Sequence, residues 1–186
     1  CGSCTACLTI CPTNAIVEPY KVDGRKCISY LTIESDKDIP EELRPLMGNR
    51  IYGCDDCQLV CPWNRFANIT EEEDFHPRTV LHGQSLNTLF SWSEETFLQS
   101  TEGSPIRRIG YQKWQRNIAV ALGNAPYNEE SIQLLKERHG TVSELVDRHI
   151  DWALQQQQKK QTAYEAQNRQ QQRLIRVIEK GLPRDA

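Results

Sequence analysis

Cys1-Gly-Ser-Cys4-Thr-Ala-Cys7-Leu-Thr-Ile-Cys11-Pro12 opens the sequence, and Cys54-Asp-Asp-Cys57-Gln-Leu-Val-Cys61-Pro62 closes its first third. The second string repeats the end of the first: a pair of cysteines two residues apart, a third after three more residues, then proline. With Cys27 they hold all eight cysteines of the 186-residue chain. Clustering of this kind implies one local device. A disulfide framework also uses an even number of cysteines, but it belongs to small secreted domains, and no charged-then-apolar leader precedes the first motif.

The spacing separates the metals. In a C-x2-C-x2-C-x3-C-P run the first three thiolates hold one 4Fe-4S cluster and the fourth holds the other. Zinc wants four tetrahedral ligands, usually as two separated C-x2-C knuckles, which leaves the third close cysteine and the proline without a role. The second motif lacks one cysteine, and Cys27 can supply it. Reciprocal sharing then gives a first cluster on Cys1, Cys4, Cys7 and Cys61 and a second on Cys11, Cys27, Cys54 and Cys57, each cysteine used once. Proline after the crossing cysteine stops the short helix carrying the other ligands. Leu8, Ile10, Ile16, Leu59 and Val60 are expected to wall the clusters from water, which tunes the reduction potential.

Between Cys27 and Cys54 the chain is longer than a symmetric two-cluster ferredoxin requires. Residues 28–34, Ile-Ser-Tyr-Leu-Thr-Ile-Glu, are β-branched and aromatic and predict a short strand. Asp36 to Pro45 predicts a loop and a capped helical turn starting near Asp38 or Pro40.

The strings CGSCTACLTICPTNAI, CISYLTIE and IYGCDDCQLVCPWN together resemble the epoxyqueuosine reductases, and the resemblance covers nearly the whole chain. Cysteine spacing alone would also fit a reductive dehalogenase fragment or a two-cluster ferredoxin-type electron carrier. The resemblance implies an oxidoreductase that uses two 4Fe-4S clusters and cobalamin to convert epoxyqueuosine to queuosine in tRNA, the last step of queuosine biosynthesis. It further implies that this chain is the C-terminal part, with the family's proton donor in a preceding N-terminal part. An opening on Cys1 within a motif, without Met, agrees with that expectation. Ser29 and Tyr30, and more weakly Asp55 and Asp56, are candidates for cobalamin contact because they sit beside second-cluster ligands.

Past Thr70–Asp74 the sequence is cysteine-free and helical in pattern. Ser93 predicts an N-cap ahead of Phe97 and Leu98. A second helix is predicted from about Ile106 to Leu122, stopping at Gly123-Asn124, with Tyr111, Trp114, Ile118, Ala121 and Leu122 on one face and Arg108, Gln112, Lys113 and Arg116 on the other. Asn128 and Ser143 predict caps of two further helices. The fold class is therefore α+β: a two-cluster ferredoxin-like module over 1–74 with an inserted loop, HEAT-like helical repeats over 75–158, and a Gln-rich, conditionally helical tail over 159–186.

Charge divides at the same place. Residues 1–74 carry seven basic and thirteen acidic side chains, a net of −6, so residues 75–186 carry +3 of the chain total of −3. Arg107, Arg108, Lys113 and Arg116 stand without an acid between Ser104 and Leu122, as on a phosphate-binding surface or on a plain solvated helix face. Resemblance favours the first, with tRNA as the partner. The four histidines show no metal-ligand spacing, and His149 falls on an apolar helix side, which predicts a packing role. Trp63 is expected to pack in the core, the alternatives being a shield over the first cluster or a stacking contact with a partner. No run of about 18 apolar residues occurs, so no membrane span is predicted. A cytoplasmic monomer fed by a low-potential electron donor is expected.

Overall fold

The structure is a computed structural model that describes residues 2–76 and 80–179. Cys1, expected as a ligand, lies outside the described residues.

Each cysteine motif folds as one short helix. In α1 (Ala6–Ile10) the Thr5 carbonyl accepts the amides of Leu8 at 3.0 Å and Thr9 at 3.1 Å; in α2 (Asp56–Leu59) the Asp55 carbonyl accepts those of Gln58 at 2.9 Å and Leu59 at 2.7 Å. Both stop at the last cysteine of the motif for one reason. A proline ring disfavours helical backbone at the residue before it, and Cys11 and Cys61 are extended, with ψ of 114° and 123°. α1 and α2 pack on each other. A small antiparallel hairpin follows α1, with Ile16 of β1 (Ile16–Glu18) opposite Val22 of β2 (Lys21–Val22). Strands this short carry no readable alternation and were not anticipated.

Residues 28–34 are not a strand. Tyr30–Glu34 form a π-helical turn, closed by the Ser35 amide on the Tyr30 carbonyl at 2.9 Å. Packing overrides the β-prone composition here. Ile28, Leu31, Thr32 and Ser35, spaced by three and four as on a helix, are buried, and the Thr32 hydroxyl returns to the Ile28 carbonyl at 2.7 Å. The helical turn expected near Asp38 or Pro40 comes later, as a 3-10 turn over Arg44–Met47.

Five helices follow among the described residues: α3 (Leu86–Ser91), α4 (Glu94–Ser100), α5 (Gly110–Asn124), α6 (Glu129–Arg138) and α7 (Glu144–Glu179). The capping residues read from sequence hold their places: Ser93 accepts from the Thr96 amide at 3.1 Å, Asn128 from Ser131 at 2.8 Å and Ser143 from Val146 at 3.4 Å. The helix expected from Ile106 divides at Gly110, whose φ of 74° follows a 3-10 turn over Pro105–Ile109.

α5 is the centre of the molecule. Trp114, Ile118 and Leu122 join Phe90, Phe97 and Ile150 from the other helices, and Ile28, Leu31, Ile39 and Met47 from the segment between Cys27 and Cys54, in one buried cluster. α7 continues from the helical region into the Gln-rich stretch as far as Glu179. Gln157 is buried, and its Nε2 donates to the Leu122 carbonyl at 2.6 Å, capping the end of α5. Lys160 does the same at Gly123, at 2.6 Å. Within α7 every residue from Thr162 to Arg173 is exposed.

Candidate metal centre

Two cysteine-lined cavities flank the α1–α2 pair. Cys11, Cys27, Cys54 and Cys57 surround one of about 120 Å³, walled by Ala15, Ile16, Val22 and Ile28. Cys4, Cys7, Cys61 and again Cys57 surround the other, of about 150 Å³, beside Pro62 and Trp63. Thus Cys11 has left its own motif to stand with Cys27 and Cys54, while Cys61 stands with Cys4 and Cys7. Extended backbone at Cys11 and Cys61 carries each thiol past the end of its helix. Cys57 lies between the two spaces. Among the described residues no three Cys, His, Asp or Glu side chains close to single-ion distances; the thiols stand around spaces with apolar walls. Thiol donors around such spaces fit the cysteine-only ligand sets of 4Fe-4S clusters.

Hydrogen bonds and charge differ from thiol to thiol. Burial works to raise the Cys11 pKa, but the amide of Ala15, at 3.2 Å from the sulfur, and the Thr13 side chain outweigh it and leave the thiol more acidic than usual. Burial raises the pKa of Cys54 and Cys57, where the Cys54 thiol adds to the effect on Cys57. Asp56, on the wall of the first cavity, is paired with Arg50 at 2.5 Å.

Of the expected apolar walls, only Ile16 lines a cavity. Leu59 is 75% exposed, because the one-turn helix α2 turns it away from both spaces. Trp63, expected in the core, is 66% exposed and stands at the rim of the second cavity.

The four residues considered for cobalamin contact do not gather on one cavity. The Ser29 hydroxyl is engaged with the backbone of Cys54, accepting its amide at 2.9 Å and donating to its carbonyl at 3.2 Å. Tyr30 faces a separate shallow depression with Arg25 and Glu34. Asp55 is exposed and accepts from Gln58 at 3.2 Å. The described residues of this chain do not by themselves form a corrin-sized seat from these four.

The face of α5 opposite its apolar stripe is not a solvated face. The acidic segment after Cys27 lies across it and across the 3-10 turn before it: Glu34 pairs with Arg108 of the turn at 2.7 Å and Asp36 with Lys113 of α5 at 2.8 Å, while Asp38 pairs with Arg148 of α7 at 2.9 Å. Part of the charge division seen in sequence is therefore neutralised inside the molecule. Arg116 is fully buried and donates to the carbonyls of Leu31, Ser35 and Lys37 at 2.6 to 2.8 Å. Burial lowers its pKa to about 10, and it stays charged at neutral pH. It has no path to a phosphate, which corrects its place among the expected RNA contacts. Arg107 is exposed, and Arg108 is exposed beside its ion pair.

Sequence reasoning missed Asn117 and Asn124, which extend the same contact. Asn117 donates to the carbonyls of Thr32 and Ile51, and Asn124 to those of Arg44 and Gly48. A lone asparagine in a helix gives no signal of such a role.

Residues 1–64 match the family described as 4Fe-4S double cluster binding domain. Over its whole length the chain is 64% identical to the epoxyqueuosine reductase of Escherichia coli, of which it covers 49%, and 60% identical to that of Vibrio cholerae, again 49% covered. A crystal structure of epoxyqueuosine reductase with a tRNA-Tyr epoxyqueuosine-modified stem loop superposes with a TM-score of 0.77 at 32% identity, over 84% of this chain and 41% of that one. The Streptococcus thermophilus epoxyqueuosine reductase gives 0.74 at 28% identity, over 86% of this chain and 42% of that one. The chain spans about half the length of the curated relatives it matches. No helix among the described residues is long and apolar enough to cross a membrane.

Proposed function

The chain belongs to the epoxyqueuosine reductase family, and on that premise we propose that it supplies the electron path of an enzyme that reduces epoxyqueuosine to queuosine in tRNA. The observation that carries this reading is the crossed grouping of thiols, with Cys11 beside Cys27 and Cys54, and Cys61 beside Cys4 and Cys7. When bound, two 4Fe-4S clusters supply one-electron steps from a low-potential donor to the reaction site. Cys11, Cys27, Cys54 and Cys57 would hold one; Cys4, Cys7 and Cys61, with Cys1, would hold the other. Ala15, Ile16, Val22 and Ile28 keep water from the second cluster, and Ser29 fixes the backbone of one of its ligands.

Removal of the epoxide oxygen as water consumes two electrons and two protons. Cobalamin would supply the group that engages the epoxide carbon; in our reading the other half of the protein holds it, and this chain gives at most one wall near Tyr30 and Asp55. Helices α3–α7 would act as HEAT-like pairs supporting the cluster module, with Arg107 and Arg108 toward the RNA backbone. We place the enzyme in the cytoplasm as a monomer.

The test uses full-length protein loaded with iron, sulfide and cobalamin, an epoxyqueuosine-bearing stem loop and a low-potential chemical reductant. The nucleoside should lose one oxygen by mass spectrometry. Two reducible clusters with no RNA binding and no loss of oxygen would make the protein an electron carrier instead.

A further inference from the structure

Four hydrogen bonds converge on residues 51–54, the stretch that delivers Cys54. The Ile51 carbonyl accepts from Asn117 Nδ2 at 2.9 Å, the Gly53 amide donates to Thr32 Oγ1 at 3.0 Å, and the Cys54 amide and carbonyl meet the Ser29 hydroxyl at 2.9 and 3.2 Å. Gly53 has a φ of 73°, a left-handed turn that a side chain would strain. Thr32 is itself held from α5, and its hydroxyl lies 3.4 Å from the Ser29 carbonyl. Asn117 Nδ2 also donates to the Thr32 carbonyl at 2.8 Å, so one amide group joins the π-helical turn to the Cys54 stretch. Its oxygen accepts from Arg116 Nε at 3.1 Å and Nη2 at 3.0 Å, which fixes which way the amide points. The remaining Arg116 donors hold the carbonyls of Leu31, Ser35 and Lys37. Both residues are fully buried.

We infer that the Arg116–Asn117 pair of α5 is a positioning device for Cys54, acting through Thr32 and Ser29, and so sets the reduction behaviour of the second cluster alone. The inference rests on Cys54 being a ligand. Its physical basis is that ligand placement and the hydrogen bonds around it tune a cluster's potential, with groups outside the ligand set contributing strongly. None of these hydrogen bonds reaches Cys4, Cys7 or Cys61. A merely structural pair would hold the fold and leave the potentials alone.

Asn124 provides the control. On the same helix its Nδ2 donates at 2.8 and 2.9 Å to Arg44 and Gly48 of the same segment, away from residues 51–54. Full-length protein with both clusters is titrated by paramagnetic resonance as the parent, Asn117→Ala, Ser29→Ala and Asn124→Ala. Asn117→Ala and Ser29→Ala should shift the midpoint and alter the signal of one cluster, the one abolished by Cys27→Ala. The other cluster should keep its midpoint. Asn124→Ala should lower thermal stability with both midpoints unchanged. Should Asn117→Ala fail to fold, Ser29→Ala decides, since it removes one hydroxyl beside Cys54 and no buried amide. Two clusters in the parent with unshifted midpoints in Ser29→Ala, or equal shifts of both clusters, overturn the inference alone. A parent with no second cluster overturns it together with the ligand reading.

Discussion

His149 Nε2 accepts the backbone amide of Ile39 at 3.1 Å, across 110 residues of chain. The same ring meets the Leu145 carbonyl through Nδ1 at 2.7 Å, so the proton sits on Nδ1 and the Nε2 lone pair faces Ile39. This pins the segment between Cys27 and Cys54 to α7 as Arg116 pins it to α5. A second proton on the ring would place two donors against each other in a fully buried site.

Burial lowers the His149 pKa to about 4; Arg44 and Arg116 push the same way, and the Leu145 carbonyl and Asp38 oppose them. The folded value lies below the unfolded one of about 6.5. The contribution is therefore complete above about pH 6.5 and declines as pH falls toward about 4, reaching roughly 2 kcal/mol of loss by pH 5. The melting temperature of full-length protein should fall relative to that of His149→Gln as pH goes from about 7.5 to about 5. A constant difference would refute this role for the ring.

Gly123 sits where α5 meets α7. A Cβ there would lie 2.5 Å from Trp152 and 3.0 Å from the Cα of Ala153. Alanine ordinarily stabilises a helix interior by about 1 kcal/mol over glycine, but overpacking costs about 1 to 3 kcal/mol. Thermal melts should show Gly123→Ala less stable than the parent. A raised melting temperature would mean the two helices separate easily.

The basic residues of the 3-10 turn and α5 should divide by burial. Arg107→Gln with Arg108→Gln should leave folding intact, weaken stem-loop binding and flatten its dependence on salt, because fewer counterions are released. Arg116→Gln should instead cost about 3 to 5 kcal/mol of folding stability, since buried carbonyls lose their donor. Filter binding across salt concentrations and melts separate the two. Unchanged affinity and salt slope in the double variant would move the RNA contact elsewhere.

The parts legible in sequence were those encoded locally. Cysteine spacing and the following proline specify a one-turn helix and an extended last cysteine within a dozen residues. The N-caps at Ser93 and Asn128 are equally local. What escaped depends on distant chain: Asn117 reaches carbonyls 85 and 66 residues away, and Arg116 reads as a surface base until the acidic segment is laid across it. The run after Cys27 misled for a related reason. Its residues suit a strand by composition, yet Ile28, Leu31, Thr32 and Ser35 serve as a helical face once α5 is there to cover them.

If each motif lends its last cysteine to the other's cluster, single-ligand variants of full-length protein will show it, read by iron content and paramagnetic resonance. Cys4→Ala and Cys27→Ala first identify the signals of the two clusters. The crossed arrangement predicts that Cys61→Ala loses the signal lost in Cys4→Ala, and that Cys11→Ala loses the one lost in Cys27→Ala. If Cys11→Ala instead matched Cys4→Ala, and Cys61→Ala matched Cys27→Ala, each motif would hold its own cluster, contradicting the crossed arrangement.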